Sequence, residues 1–312
     1  MSRPLHGAIE AGGTKFVCAA GYGPTELIES LRAEIATSTP AVTLGAVAAF
    51  FERVRRERGP LAGIGVAAFG PVDIDPRSRT RGRILATPKP GWSGVSLVEP
   101  LERFGCPIVI DTDVNAAALA EGCLGAGIGT RSLAYVTVGT GIGGGMVVDG
   151  RSLQGMLHPE MGHILVRRDA RDADFAGTCP FHGDCLEGLA SGPALVARWR
   201  APVESWPEAH PGLEITGGYL GQLAATIALM LSCERIVFGG GVMRSGRLLP
   251  FVRQAADRQL NGYLPIPARA GGFERYIAAA ALGNLAGLTG AMLLAGARDV
   301  MPIGGALTPA AG

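Results

Sequence analysis

The sequence has little charge, few aromatic residues and almost no net charge. Charged residues make up 18% and aromatic residues 6% of its 312 residues, and 28 basic residues nearly balance 27 acidic ones. A hydrophobic fraction of 47% excludes a disordered chain. The formal net charge of +1 leaves no basic surface of the kind that nucleic acids or anionic membranes attract. The length suits one large or two medium domains.

Signals for export and membrane insertion are also missing. Met1–Pro4 is followed after two residues by Gly7–Glu10, without the basic and apolar segments of a secretory signal. One apolar stretch, Ile277 to Ala297, has the length of a membrane span, but Ala, Gly and Leu dominate it, so we predict a packed helix. Six cysteines in such a chain are expected to be free or metal-bound. We therefore expect a cytoplasmic protein with neither a nucleic acid nor a membrane as partner.

Strand and helix patterns alternate along the chain and partly repeat. The first half predicts strand–turn–strand over Ala8–Ala20, a helix over Thr43–Arg58, strands over Gly63–Phe69 and Pro107–Ile110, and a helix over Asn115–Leu124. The second half predicts strands over Leu133–Val138, Met146–Val148 and Arg235–Phe238, and helices over Gly217–Cys233, Leu248–Leu260 and from near Ile277. This is an α/β pattern of two similar halves. We expect a smaller domain over 1–113, completed by a C-terminal helix near 290–312, and a larger domain over 114–289.

Glycine is abundant, with 48 residues, and much of it lies in three turns that each follow a predicted buried strand. These turns are Gly12-Gly13-Thr14-Lys15, Gly139–Gly145 and Gly239-Gly240-Gly241. Without a Cβ, backbone N–H groups can approach an anion closely. None has the G-x-x-x-x-G-K-[ST] spacing of a P-loop, and the second lacks the last glycine of the dinucleotide fingerprint. Each alone is explained as a hairpin turn, but together they favour a nucleotide site.

Cysteine and histidine cluster between residues 158 and 185. Cys179-x-x-His182-x-x-Cys185 places three metal-ligand types in one loop, and His163 upstream completes a tetrahedral zinc set. A site with four protein ligands is closed, so this zinc would be structural. Glu160 lies three residues before His163 and Glu187 two residues after Cys185, so a bound metal would also fix both carboxylates. Two buried cysteines beside an unrelated histidine are the alternative, and His158 is either a spare ligand or an ordinary loop histidine.

The glycine turns resemble the motifs of a known family. Ile9–Lys15 and Gly139–Gly145 are similar to the two phosphate motifs of the ROK family (repressors, open reading frames, kinases), and Gly239–Val242 to its adenosine motif. Within that family, GVAAFGPVD, TPKPGW and CPFHGDCLEGLASGPA most resemble the bacterial fructokinases. Three departures fit that branch: Glu10 replaces a common Asp, Thr112-Asp113 replaces Asn-Asp, and the cysteine loop lacks the usual Cys-x-Cys-Gly-x-x-Gly-Cys.

The resemblance implies the duplicated ribonuclease-H-like fold of actin and hexokinase, with a cleft between two domains that holds ATP. It also implies transfer of the γ-phosphate to a hexose, with fructose giving fructose 6-phosphate, and a homodimer. Asp113 matches the catalytic base, although its place between a strand and a helix also suits an N-cap. Lys15 would neutralise phosphate, unless it is an ordinary surface lysine, and Glu10 would face Mg²⁺ through water.

The remaining site residues follow from the same resemblance. Those matching nucleotide contacts are Glu10, Gly12, Gly13, Thr14, Lys15, Gly139, Thr140, Gly141, Gly143, Gly239, Gly240 and Gly241. Those matching sugar contacts are Gly70, Pro71, Thr112, Asn115, Glu160, His163 and Glu187. The expected zinc ligands are His163, Cys179, His182 and Cys185.

Two alternatives to a fructokinase stay open at this stage. The first is a kinase of the same family for glucose, mannose or an N-acetylhexosamine, because a few hydrogen bonds decide between such sugars. The second is a sugar-responsive repressor, which needs a helix-turn-helix module. The first phosphate motif begins by Gly12, and the basic residues Arg53–Arg58 lie on one solvated helix face. We therefore expect no such module.

Overall fold

A computed structural model describes residues 3–296. The backbone divides into two compact units. Among the described residues, the first unit comprises 3–113, 154–157 and 291–296, and the second comprises Val114–Leu153 and His158–Gly290. The last sixteen positions of the expected C-terminal helix, 297–312, lie outside the described residues.

The first unit is built on a five-stranded sheet in the order β3-β2-β1-β4-β5. Its strands are β1 (His6–Ala11), β2 (Lys15–Gly21), β3 (Leu27–Ala36), β4 (Gly63–Ala68) and β5 (Ile108–Thr112). β1, β2 and β3 form an antiparallel meander, whereas β4 and β5 run parallel to β1. Helix α1 (Pro40–Arg58) buries Val47, Phe51 and Val54 in the core of this unit. The spacing of those residues is the amphipathic pattern of the sequence.

The second unit repeats this arrangement in the order β10-β9-β6-β7-β8. Its strands are β6 (Ser132–Val138), β7 (Ile142–Val148), β8 (Arg151–Ser152), β9 (Arg235–Gly239) and β10 (Ile277–Ala279). Again the first three strands are antiparallel, and the last two are parallel to the first. The two α/β halves predicted from the sequence are therefore confirmed as a duplication of one topology.

Helices flank the two sheets. They are α2 (Asp113–Leu124), α3 (Leu186–Ala190), α4 (Gly192–Trp199), α5 (Pro211–Leu231), α6 (Leu249–Leu260), α7 (Ile266–Arg269), α8 (Phe273–Tyr276) and α9 (Ala286–Gly296). α5 begins six residues earlier than the sequence pattern indicates, because Nδ1 of His210 accepts a hydrogen bond from the Gly212 amide at 3.1 Å and caps the helix. On the same helix, a Cβ at Gly221 would lie 2.8 Å from the Val252 carbonyl oxygen, so glycine there permits close packing against α6.

The prediction that a helix begins near Ile277 is wrong. Ile277 starts β10, which pairs in parallel with β9 through Ile236, and the helix begins only at Ala286. β10 has only three residues, all of them apolar, so it shows no alternation of polar and apolar residues, and the sequence does not distinguish it from the start of a helix. Among residues 3–296, no helix combines the length and hydropathy that crossing a bilayer requires.

Helix α9 covers β4 in the first unit. A Cβ at Gly63 would lie 2.6 Å from the Ala295 carbonyl oxygen, and one at Gly65 would lie 2.7 Å from the Ala295 amide nitrogen. The absence of side chains at these two positions lets the helix backbone rest directly on the strand. The last described helix thus completes the layer over a strand formed early in the chain.

Candidate active site

The first glycine turn joins β1 to β2 and directs its carbonyl groups into the protein. The Gly12 amide donates to the Lys15 carbonyl at 3.0 Å, the Thr37 hydroxyl donates to the Gly12 carbonyl at 2.8 Å, and the Thr37 amide donates to the Thr14 carbonyl at 2.9 Å. Within residues 3–296, no group accepts a hydrogen bond from the amides of Gly13 and Thr14. Both residues are exposed. The turn therefore presents two backbone donors that suit an anion.

Charged side chains flank this turn. Lys15 forms a 2.8 Å ion pair with Glu34 on β3, which holds the pKa of that exposed carboxyl below its usual range. Glu10, on β1, is half-buried, and its burial raises the pKa of the carboxyl, while Lys15 and Arg32 oppose that shift. The structure thus places Glu10 at the strand end next to the turn and Lys15 in an ion pair at its far side.

Asp113 occupies the junction of β5 and α2, as its position in the sequence indicates. β5 ends at Thr112, and Asp113 is the half-buried first residue of the helix. The preceding residue, Asp111, is buried and accepts hydrogen bonds from the Thr112 amide at 2.7 Å and from Nε2 of Gln154 at 3.2 Å. Gln154 therefore fixes the end of the strand that presents Asp113. The sequence carries no signal for this contact, because 43 positions separate its partners.

The second glycine turn joins β6 to β7 in the second unit. The Gly139 amide donates to the Gly141 carbonyl at 2.8 Å, and the Gly139 carbonyl accepts from the Gly192 amide at 2.7 Å. Glu187 accepts a hydrogen bond from the Ile142 amide at 2.9 Å, and a Cβ at Gly141 would lie 2.7 Å from the same carboxylate oxygen. Glycine at position 141 therefore makes room for Glu187.

Packing explains other glycines of the cluster as well. A Cβ at Gly143 would lie 3.0 Å from Cγ1 of Val114, and one at Gly145 would lie 2.8 Å from the Val114 carbonyl oxygen on α2. In the third turn, which follows β9, Gly240 has a φ of 88°, and a Cβ there would collide with the backbone of Val138. These glycines serve close backbone packing, whereas Gly13 has open space around it.

The four expected zinc ligands meet in the second unit. The potential ligand atoms of His163, Cys179, His182 and Cys185 all lie within 4.8 Å of one another. Nδ1 of His163 is 3.5 Å from Sγ of Cys185 and 3.7 Å from Sγ of Cys179, which is also 3.7 Å from Nδ1 of His182. A tetrahedron with Zn–N of about 2.0 Å and Zn–S of about 2.3 Å needs ligand separations of this size. The donor set therefore fits zinc, and the six cysteines form no disulfide.

His163 connects this cluster to Glu187. While its Nδ1 faces the cysteines, its Nε2 lies 3.9 Å from Oε1 of Glu187, the residue that binds the second glycine turn. Glu160 precedes a single 3₁₀ turn, Met161–His163, and its carboxylate lies 3.4 Å from Nδ1 of the buried His158. His158 thus faces Glu160 and is not among the four clustered ligands. The second unit thus places Glu160 and His163 at the two ends of one short turn, with Glu187 beside His163.

Buried polar contacts hold the loop around the cluster. Asp172 accepts hydrogen bonds from the Tyr219 hydroxyl at 2.9 Å and from Nε of Arg198 at 2.5 Å, and burial raises the pKa of Tyr219 to about 12. Arg168 donates to the Asp172 and Phe175 carbonyls and pairs with Asp184 at 3.2 Å, one residue before Cys185. No sequence pattern marks these supports, because Asp172 is separated by 47 residues from Tyr219 and by 26 from Arg198.

The other proposed sugar residues are placed in both units. Gly70, Pro71 and Thr112 belong to the first unit, where the Pro71 carbonyl accepts a hydrogen bond from the Leu85 amide at 2.8 Å. Asn115 is a buried residue of α2 in the second unit. The nearby residue Asp73 organises the loop after Pro71, since its carboxylate accepts from the Ser78 hydroxyl at 2.5 Å.

A family model described as the ROK family matches residues 6–298. The chain belongs to the ROK family. It is 44% identical to a fructokinase of Zymomonas mobilis over 94% of this chain and 97% of that protein. It is 42% identical to a protein of Bacillus subtilis described as a putative fructokinase, over 93% and 94% of the two chains.

The fold of this ROK protein is also that of solved relatives. A ROK glucokinase of Streptomyces griseus, solved with glucose and AMPPNP, superposes with a TM-score of 0.72 at 26% identity, covering 93% of this chain and 99% of that one. The resemblance of the sequence to ROK sugar kinases is thereby confirmed, as is the two-domain α/β fold.

Proposed function

We propose that this ROK protein is an ATP-dependent fructokinase that forms fructose 6-phosphate. The observation that carries the proposal is the near full-length similarity to two relatives. They are the fructokinase of Zymomonas mobilis, at 44% identity, and the putative fructokinase of Bacillus subtilis, at 42% identity. The site supports it: exposed amides at the first glycine turn suit phosphate, and carboxylates in both units suit a polyol.

The chemistry requires one base and several anion contacts. The hexose hydroxyl oxygen forms a bond to the γ-phosphorus of ATP, and the bond between that phosphorus and the bridging oxygen breaks, with its electron pair leaving on ADP. Asp113, at the start of α2, accepts the hydroxyl proton as the new bond forms. Magnesium, when bound, would neutralise charge on the phosphates, and Glu10, on β1 next to the first turn, would contact its water shell.

Each unit contributes its own groups to binding. In the first unit, the nucleotide contacts are Gly12, Gly13, Thr14 and Lys15, and Gly70, Pro71 and Thr112 contribute to sugar binding. In the second unit, Gly139, Thr140, Gly141, Gly143 and Gly239–Gly241 contribute to nucleotide binding, and Asn115, Glu160, His163 and Glu187 to sugar binding. A homodimer, which the family resemblance implies, is also proposed, and sedimentation equilibrium would test it.

Zinc would be held by His163, Cys179, His182 and Cys185. Its contribution is positional, because a site with four protein ligands has no open coordination position. By fixing Nδ1 of His163, the metal would orient Nε2 toward Glu187, an arrangement in which carboxylate and metal share one imidazole.

A hexose panel tests the proposed function. Purified protein with MgATP is expected to release ADP with fructose at a kcat/KM at least tenfold above that with glucose, mannose or N-acetylmannosamine, since a site built to hydrogen-bond one polyol leaves buried groups unpaired with another. A coupled assay of ADP release measures the rates, and mass spectrometry identifies fructose 6-phosphate. Preferential turnover of glucose would reassign the substrate, and absence of turnover with every hexose would reject the kinase.

Adding a methyl group to the first turn by Gly13→Ala is expected to raise KM for ATP without unfolding the protein. Nothing lies within 4 Å of a Cβ at Gly13, so Gly13→Ala should leave Tm unchanged, yet raise KM for ATP on the order of tenfold by occupying the space above the exposed amides. Gly12→Ala is the matched control. Its Cβ would lie 2.7 Å from the Lys15 carbonyl oxygen, so this substitution should lower Tm. Scanning fluorimetry and ATP titrations measure both. An unchanged KM in Gly13→Ala would contradict a phosphate contact there.

A further inference from the structure

The chain contains two lysines among its 28 basic residues, Lys15 and Lys89, and every other basic residue is an arginine. The two types are not interchangeable. A guanidinium is a planar fork suited to paired contacts, whereas an ammonium is a compact charge with three donors on a flexible stem. Both lysines meet the first glycine turn: Lys15 is part of it, and Nζ of Lys89 donates a hydrogen bond to the Gly13 carbonyl.

The two ammonium groups differ in how their charge is balanced. Nζ of Lys15 pairs with Glu34 at 2.8 Å, so an acidic partner already neutralises it. Lys89 contacts a carbonyl oxygen instead, and within residues 3–296 no carboxylate forms an ion pair with it. Its single hydrogen bond at the turn leaves further N–H donors on the same nitrogen. Lys89 therefore brings an unneutralised positive charge to the turn that exposes the Gly13 and Thr14 amides.

The segment that carries Lys89 is anchored in the core. Trp92 is fully buried, and its ring packs against Phe16 and Phe69 at centroid distances of 5.6 and 5.7 Å. Its indole nitrogen donates to the Ser38 carbonyl at 2.9 Å, next to Thr37, which binds the Gly12 carbonyl. The Trp92 amide in turn donates to the Lys89 carbonyl at 3.2 Å. The backbone at Lys89 is thus fixed by the same framework that fixes the turn.

We propose that Lys89 is a catalytic residue that contacts the transferred phosphoryl group. The inference rests on the proposed kinase function. As the hydroxyl oxygen bonds to the γ-phosphorus, the phosphorus–oxygen bond to ADP breaks and the hydroxyl proton passes to Asp113, negative charge shifts over the phosphoryl and bridging oxygens. The Gly13 carbonyl holds the ammonium in place, and its remaining donors stabilise that charge more in the transition state than in bound ATP.

Charge removal at Lys89 is expected to reduce turnover selectively. Lys89→Met should lower kcat about 10²-fold, the size seen when one donor to a developing charge is lost, with KM for fructose within twofold of the parent. Lys89→Arg should recover part of the loss. Arg56→Met, on the exposed face of α1, removes one positive charge elsewhere and should leave kcat unchanged. A purely structural role would lower Tm and raise both KM values instead, and a kcat within threefold of the parent in Lys89→Met would overturn the proposal.

A chemical probe separates this proposal from the proposed function. Pyridoxal 5′-phosphate, followed by borohydride, modifies lysine amines, and a chain with two lysines yields a simple peptide map. ATP at saturating concentration is expected to reduce labelling of Lys89 at least fivefold. Protection of Lys89 in a protein that phosphorylates no hexose would reject the fructokinase and support the phosphate contact. Labelling of Lys89 that ATP does not reduce would overturn the contact, even in an active kinase.

Discussion

Replacing Asp113 by Asn is expected to lower kcat about 10³-fold while leaving the dissociation constants for fructose and ATP within a few-fold of the parent. The amide is nearly isosteric with the carboxylate, and Asn is as favoured as Asp at the start of a helix, so the geometry at the start of α2 should be retained. What is lost is a group that accepts the hydroxyl proton. Single-turnover kinetics and calorimetric titration of fructose measure the two effects separately.

A matched control removes a carboxylate outside the site. Asp257 is exposed on α6, and Asp257→Asn changes the net charge by the same amount. It should leave kcat unchanged. If Asp113→Asn retained more than a tenth of the parental kcat, Asp113 would lose its role as base, and its position would be explained by the start of α2 alone.

Loss of the proposed zinc is expected to lower stability and sugar affinity together. Structural zinc sites contribute folding free energy directly, so Cys185→Ser or prolonged treatment with 1,10-phenanthroline should remove about one equivalent of zinc and lower Tm by on the order of 10 °C. KM for fructose should rise about tenfold, because His163 joins the cluster to Glu187. Metal analysis, scanning fluorimetry and initial rates measure the three changes.

Cys123→Ser provides the control for this experiment. Cys123 is an exposed cysteine of α2 outside the cluster, and its replacement should leave zinc content, Tm and KM unchanged. Reduced stability of Cys185→Ser with an unaltered KM for fructose would contradict the positional role of the metal. Purified protein without zinc, yet with full stability, would contradict the zinc site itself.

Local patterns predicted much of this fold. The strands beside the glycine turns and helix α1 follow from apolar runs, turn residues and helical spacing, all of which act within a few residues. The Cys179–Cys185 spacing likewise predicted a cluster that the structure brings within 4.8 Å, with His163. Short-range patterns failed at Ile277, where a strand of three apolar residues is too short to show the alternation that marks a strand.

Contacts between residues far apart in the chain could not be predicted from the sequence. The hydrogen bonds of Gln154 to Asp111 and of Lys89 to Gly13 join positions 43 and 76 residues apart, and no periodicity marks either one. Packing also explains glycines that the turn motifs assigned to ligand binding, such as Gly143, which lies against Val114 of α2. A glycine motif indicates that another group lies close to the backbone, but only the tertiary structure shows whether that group belongs to the protein or to a ligand.

The position of α9 over β4 has a consequence for synthesis on the ribosome. Gly63 and Gly65 are translated early, yet the helix that covers them, through Ala291 and Ala295, is among the last segments described. At 5–20 residues per second, that helix emerges roughly 10–45 s after the strand. During this interval the apolar face of β4 is without its cover, so the nascent first unit is the part of the chain that a holding chaperone would bind.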